Sequence, residues 1–164
     1  MNDKKILDAT CGSRTIWFNK HHPAAVYCDI RREELTGIWK SENGESERVC
    51  RVDPDIQCDF TALPFEDNSF SLVIFDPPHL RYAGATGWLT KKYGRLDDHW
   101  TEMLHDGFKE CMRVLKEDGV LIFKWAETDI PAQKVWKAIG QKPLFGHHSG
   151  KRSGTFWACF MKGL

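Results

Sequence analysis

Metal-binding spacing is missing from the 164 residues: none of the six cysteines, Cys11, Cys28, Cys50, Cys58, Cys111 and Cys159, forms a CxxC pair. Structural zinc sites need such spacing. The pairs His21-His22 and His147-His148 do not replace it, because adjacent side chains point in different directions, so no metal is expected. Apolar runs long enough to cross a bilayer are also lacking. Met1-Asn2-Asp3-Lys4-Lys5 leads straight into a strand-like run and does not read as a signal peptide. The expectation is a cytoplasmic protein with no membrane partner, its cysteines reduced and mostly buried. Net charge is absent, with Lys+Arg 23 against Asp+Glu 23. There is no internal repeat, no low-complexity tract and no composition typical of disorder. The glycine-rich GxGxxG pattern is not met, since only Gly12 stands where it would begin.

What the chain does have is segregated charge. Residues 42–67 hold many acids and only Arg48 and Arg51 as bases, whereas Arg81 to Arg95 and Ile130 to Leu164 hold bases and no acid. A neutral protein arranged this way can present one basic face to a polyanion, or can simply be solvated on both faces. A chain of this length is expected to make one domain, 1–164, with no room for a second.

Strands and helices alternate along the chain. Lys4 to Thr10 reads as a strand that breaks at Cys11-Gly12-Ser13. Ser13 or Thr15 is placed to cap a short helix bearing Ile16, Trp17 and Phe18. A strand, a tight turn and a helix in that order set backbone N–H groups around a polar ligand. Ala24 to Ile30 is a second strand ending in Asp29, about twenty residues past the first turn, where a doubly wound fold places the acid that receives ribose hydroxyls. A turn or cap acid is the other reading of Asp29. Between strands two and three a helix is expected, but Leu35 to Val52 reads as a β-hairpin or irregular excursion around Asn43-Gly44. Ile56 to Phe60 is a third strand carrying Asp59.

Ser71-Leu72-Val73-Ile74-Phe75-Asp76-Pro77-Pro78-His79 is a buried strand stopped by prolines. Each proline restricts the residue before it, so the tip is stiff. It offers the Asp76 carboxylate, the Pro77 carbonyl and the flat His79 ring, which together suit a planar amine. Leu80 to Arg95 follows, with Arg81, Tyr82, Trp88, Lys91, Lys92 and Tyr93 among glycines. It reads as a substrate loop, or else as an ordinary surface loop. A helix from Asp97 or Asp98 to Lys116 has its apolar residues at core spacing, and Val120 to Phe123 is a buried strand. Pro131 opens a helix over Ala132 to Ile139. Two final strands surround Pro143-Leu144-Phe145 and Thr155 to Met161, joined by a His147–Gly154 loop holding Lys151 and Arg152.

Over nearly its whole length this layout resembles the class I S-adenosylmethionine-dependent methyltransferases. Asp8-Ala9-Thr10-Cys11-Gly12 matches their first, methionine-binding turn with fewer glycines than usual. Asp29 with Ile30 matches the ribose acid, and Asp59-Phe60 the pair beside adenine. Asp76-Pro77-Pro78-His79 looks like the signature of members that methylate exocyclic or amide nitrogens, in the form found in small phage and prophage methyltransferases. The resemblance implies an α/β, Rossmann-like, doubly wound sheet of seven mostly parallel strands with the last antiparallel. It implies S-adenosyl-L-methionine as cofactor and Asp76, Pro77, Pro78 and His79 as catalytic residues, with Asp76 also among the cofactor-binding residues. It further implies a nucleic-acid acceptor, adenine N6 in DNA first, flipped from its duplex. A protein amide, RNA or a small molecule is the alternative, and a non-catalytic nucleotide-binding module a further one. Target recognition then falls to Leu80–Arg95, the hairpin, Gly150-Lys151-Arg152, a second subunit or a partner protein. Lys124, Trp125 and Glu127 lie at the same sheet edge and read either as site residues or as packing.

Overall fold

Short β-branched and aromatic runs assemble into a seven-stranded sheet in this computed structural model, which describes residues 4–41, 44–82, 84, 88–149 and 154–164. The strands are β1 (Ile6–Asp8), β2 (Ala25–Asp29), β5 (Ile56–Gln57), β6 (Phe70–Phe75), β7 (Leu115–Ala126), β8 (Phe145–Ser149) and β9 (Thr155–Met161). A separate hairpin is made by β3 (Glu33–Ser41) and β4 (Gly44–Val52), and the helices are α1 (Trp88–Tyr93), α2 (Trp100–Val114) and α3 (Ala132–Ile139). The sheet order is β5-β2-β1-β6-β7-β9-β8. The pairs β5·β2, β2·β1, β1·β6 and β6·β7 are parallel, and β9 is antiparallel to both β7 and β8. This is the expected Rossmann-like, mostly parallel sheet with an antiparallel last strand; its strand order is that of a doubly wound fold, although no described helix covers its second face. The order reverses at β1, so the carboxyl ends of β1, β2, β5 and β6 meet along one edge, where open α/β sheets bind ligands.

Alternation decides which side chains meet the helices. Leu7, Val26, Val73, Phe75, Leu121, Phe123 and Phe160 point to one face and form a single core with Leu104, Phe108 and Val114 of α2 and Val135 and Ile139 of α3. A smaller cluster on the other face joins Ala25 and Tyr27 to Cys11, with Ile6 and Trp17 packed against it. The Trp17 ring meets Tyr27 edge-on at 5.0 Å. Among the described residues no helix covers this second face, and Leu72, Ile74, Val120 and Ile122 stay half-buried there. No described helix is long and apolar enough to cross a membrane. All six cysteines are free thiols, five of them buried.

Two expectations are corrected. The segment after β1 is a chain of turns with no helix. Gly12 (φ 49) and Arg14 (φ 54) both take positive φ, a conformation that a right-handed helix excludes. Arg14 is held there by bonds to the carbonyls of Lys20 and Asp53, both 2.7 Å, and its guanidinium lies 3.8 Å from the Tyr27 ring centroid. Phe18 is fully exposed. The supposed loop after His147 is also different: β8 runs on to Ser149, because His147 and His148 pair with Trp157 and Phe156 of β9. The hairpin is present as expected; Asn43 of its turn, and Gly150, Lys151 and Arg152, lie outside the described residues.

Gly107 in α2 gives a packing test. An alanine Cβ there would stand 2.4 Å from Phe60 Cδ2 and 3.0 Å from Phe75 Cζ. Alanine favours an isolated helix by about 1 kcal/mol, but overpacking costs about 1–3 kcal/mol, so the clash should dominate. Gly107→Ala is expected to lower the melting temperature by several degrees. A higher melting temperature would show that the Phe60 ring yields freely.

Candidate active site

The first turn and the strand ends are bonded into one wall. Cys11 N donates to the Cys28 carbonyl at 2.7 Å, and Gly12 N donates to Asp29 Oδ2 at 2.9 Å. The other Asp29 oxygen accepts from Arg31 N at 2.9 Å and from Arg31 Nε at 3.2 Å. The Arg31 guanidinium then reaches the carbonyls of Lys91 and Lys92, at 3.0 and 3.1 Å, and so fastens α1 beside Asp29. Asp76 N donates to Thr10 Oγ1 at 2.8 Å, which ties the motif at the end of β6 to the turn after β1.

Behind this wall lies a cavity of about 460 Å³, lined by Ala9, Thr10, Asp29, Ile30, Asp59, Phe60, Asp76 and Pro78, with Tyr93 and Gly94 across from them. That size suits one cofactor-sized molecule. Most of the residues expected at the cofactor are therefore brought together. Asp59 is fixed by its Oδ1, which accepts from Thr61 N and Thr61 Oγ1, both at 2.8 Å. Phe60 is buried and stacks edge-on with Phe75, so it offers the cavity one side of its ring only.

Asp8, Cys11 and Gly12 do not line this cavity. Gly12 acts through its bond to Asp29, Cys11 is buried beneath the turn, and Asp8 turns to Trp17, whose Nε1 donates to Asp8 Oδ2 at 2.7 Å. Burial pushes the Asp8 carboxyl up to about 7, and the nearby Asp76 and Asp29 charges add to this; the Trp17 and Thr10 bonds oppose it. A carboxyl raised in the folded state lends stability below its ordinary value and loses it as pH rises through about 7. Asp8→Asn should therefore raise the melting temperature by about 5 °C near pH 8 and change it little near pH 4. Equal shifts at both pH values would place the effect in packing and not in the charge.

The motif itself is stiff and largely enclosed. Pro77 is buried, Pro78 and His79 are half-buried, and the Asp76 side chain is about a fifth exposed. Lys124 Nζ donates to Asp76 Oδ2 at 2.5 Å and is itself about a fifth exposed. Burial raises the Asp76 carboxyl above its usual range, while the charge and hydrogen bond of Lys124 pull it back. The His79 ring faces Tyr93 at 5.7 Å and the edge of Trp125 at 6.3 Å. Burial holds His79 below its ordinary value, with Asp76 the chief opposing charge. A neutral, flat ring thus stands beside the carboxylate.

Lys124 is the residue that pattern reading left undecided. Its signal is a cation set between Phe123 and Trp125 near the end of a strand whose alternate residues Leu121, Phe123 and Trp125 are fully buried. Phe75 pairs with Phe123, so the next residues along, Asp76 and Lys124, stand side by side. Trp125 is core, its Nε1 donating to the Ile130 carbonyl at 2.8 Å. Glu127 serves α3, accepting from Ala132 N at 2.6 Å.

The expected substrate residues divide. Tyr93 faces the cavity, while Trp88 and Lys92 line a second cavity of about 520 Å³ beside the first turn. Lys91 contributes its carbonyl to Arg31 and leaves its side chain exposed. Arg81 and Tyr82 lie elsewhere: their amides donate to Asp129 Oδ2 at 2.6 and 3.0 Å, and Arg81 pairs with Asp98 at 3.2 Å. Asp129 thereby fixes the chain as it leaves the motif.

No family model matches the sequence. The chain is similar to a malonyl-[acyl-carrier protein] O-methyltransferase of Enterobacter lignolyticus, with 26% identity over 144 residues, which are 85% of this chain and 46% of the relative. It thus spans about half the length of that relative. Among solved structures it resembles the PH0226 protein of Pyrococcus horikoshii, with TM-score 0.57 and 17% identity over 96% of this chain and 81% of the other. It also resembles the 1,6-didemethyltoxoflavin-N1-methyltransferase of Burkholderia thailandensis, solved with S-adenosylhomocysteine, with TM-score 0.53 and 12% identity over 97% of this chain and 72% of the other. The chain has the Rossmann-like α/β fold that these proteins share.

Proposed function

We propose that the chain is an S-adenosylmethionine-dependent methyltransferase acting on an exocyclic amino nitrogen of a nucleic-acid base, adenine N6 in DNA first. The observation that carries this reading is the Asp76 carboxylate at the edge of the cofactor-sized cavity, held by Lys124 on one oxygen and followed by Pro77, Pro78 and His79. The residues fit the cofactor. Asp29 lines the cavity with a buried carboxylate whose Oδ2, bonded to Gly12 N, keeps an acceptor position for a ribose hydroxyl, and Asp59 and Phe60 offer an acceptor and an apolar ring for an aminopurine. When bound, S-adenosylmethionine supplies an electrophilic methyl group.

The acceptor nitrogen is a poor nucleophile because its lone pair is delocalised into the ring. Asp76 Oδ1 accepts one N–H of the amine and the Pro77 carbonyl the other, which favours a tetrahedral nitrogen with its lone pair aimed into the cavity. Lys124 keeps Asp76 ionised and in one orientation. The barrier falls mainly through orientation and electrostatics. His79 stacks on the base, backed by Tyr93 and Trp125. The amine loses a proton as it gains the methyl group, and Asp76 is the group in reach to receive it. The 1,6-didemethyltoxoflavin-N1-methyltransferase, by its name, likewise methylates a nitrogen. The O-methyltransferase likeness favours the second reading, a small or carrier-bound acceptor. Incubation with methyl-labelled cofactor and separate pools of DNA, RNA and protein decides between them. Label in DNA, recovered as an N-methylated base, is expected; label only in an ester or a protein would overturn the nucleic-acid reading.

A further inference from the structure

The second cavity, about 520 Å³, lies beside the site and takes no part in the chemistry above. Its walls are the first turn, the stretch around Lys20, β4 of the hairpin, and Trp88 and Lys92 of α1. The chain as a whole is neutral, yet among the described residues five cations line this cavity, Arg14, Lys20, Arg48, Arg51 and Lys92, against the one carboxylate of Asp53. Asp53 is already engaged: it pairs with Arg32 and stands 3.6 Å from Arg51. Arg14 is spent on structure, through Lys20, Asp53, Asp55 and Tyr27.

A second observation concerns the polar groups of the turn. Ser13 and Thr15 line the cavity, and among the described residues neither makes a hydrogen bond through its amide or its hydroxyl. Donors left open beside a cluster of cations make an anion site. The cavity also adjoins the chemistry. Gly12 lines it and bonds directly to Asp29 of the first cavity, while Arg31 bridges Asp29 to the Lys92 carbonyl.

We propose that this cleft is an anion subsite that holds the phosphodiester backbone of a single-stranded nucleic acid while a neighbouring base reaches Asp76. The assignment rests on the nucleic-acid reading and adds the place where the strand is gripped. The hairpin that replaces the expected helix between β2 and β5 then has a use: it supplies one wall of the groove. Trp88 gives the groove an aromatic face, as single-strand binding grooves require.

The test is binding of a fluorescein-labelled single-stranded oligonucleotide, followed by anisotropy over a range of salt. It compares the whole chain with a Lys20→Gln, Arg51→Gln, Lys92→Gln variant. Each phosphate neutralised contributes about 0.7 to the salt slope for single strands, so the variant should lose about 2 units of slope and bind at least about tenfold more weakly in dilute salt. Affinity for S-adenosylmethionine should stay the same in both proteins, which shows that the variant is folded. Unchanged oligonucleotide affinity and slope in the variant would overturn the subsite while leaving the nucleic-acid reading in place. Equal displacement of the oligonucleotide by a mononucleotide at the same phosphate concentration would overturn the polymer assignment. If the whole chain binds no oligonucleotide at any salt, both the subsite and the nucleic-acid reading fail.

Discussion

Asp76→Asn is expected to slow methyl transfer at least about a thousandfold, while affinity for S-adenosylmethionine stays within about threefold. The amide keeps the shape of the side chain but changes its bonding. It has no charge to offset Lys124, which sits 2.5 Å from Asp76 Oδ2. Its NH₂ group donates where the carboxylate accepts, so either Lys124 or the substrate amine meets a donor instead of an acceptor. The change therefore acts on the acceptor side of the cavity, and the Asp29 and Asp59 walls are untouched. Single-turnover rates set against calorimetric cofactor binding separate the two effects. A variant that turns over normally would remove Asp76 from the reaction. One that loses cofactor binding in step with activity would make Asp76 a cofactor ligand only.

Lys124→Met should move the acid limb of the pH–rate profile to higher pH, with Lys124→Arg restoring part of the shift. The sign follows from the forces on Asp76. Burial already raises its carboxyl, and Lys124 opposes that rise by charge and by hydrogen bond. Without the lysine the carboxyl rises further, so a higher pH is needed to ionise it and let it accept the amine. The loss of activity should be largest on the acid side, about a hundredfold, and should shrink as pH increases. A merely structural lysine would lower activity by the same factor at every pH. The longer, planar guanidinium of arginine keeps the charge but not the single-point contact, which is why rescue should be partial.

The sequence pattern showed the sheet well and the turns poorly, for physical reasons. Strand β6 and its proline stop are local facts: β-branched residues followed by Pro77 and Pro78 leave one solution. The spacing of Trp100, Leu104, Phe108 and Cys111 likewise has one reading as a buried helix face, and all four are buried. The hairpin was legible from Asn43-Gly44 and its flanking residues. The missing first helix was not. Three consecutive apolar residues, Ile16, Trp17 and Phe18, cannot share one helix face. Their fate is set by distant partners: Trp17 goes to Asp8, and Arg14 to Tyr27 and Asp53. At the site, Asp29, Asp59 and Asp76 could be placed together because the sheet order puts their strand ends on one edge. Asp8 could not be told apart from them in one dimension, since the alternation that turns its side chain away from the cavity depends on register with β2 and β6. Lys124 became a site residue only once β6 and β7 were paired.

The two cavities give the charge pattern a meaning that composition hides. Bases at Lys20, Arg48, Arg51 and Lys92 are scattered along the chain, two of them in its acidic stretch, and they converge on one groove. The acids that outnumber them in residues 42–67 are taken up in part by ion pairs, such as Asp53 with Arg32 and Asp67 with Arg113. Net charge is thus a poor guide to the surface that meets a polyanion.

The most direct measurement gives the chain S-adenosylmethionine carrying a labelled methyl group, together with single-stranded DNA, then digests the DNA to nucleosides and separates them by mass. The account predicts an N-methylated base, adenine first, formed by the wild-type chain and not by Asp76→Asn. A chain that binds the cofactor tightly yet labels no nitrogen on any base of DNA or RNA would contradict it.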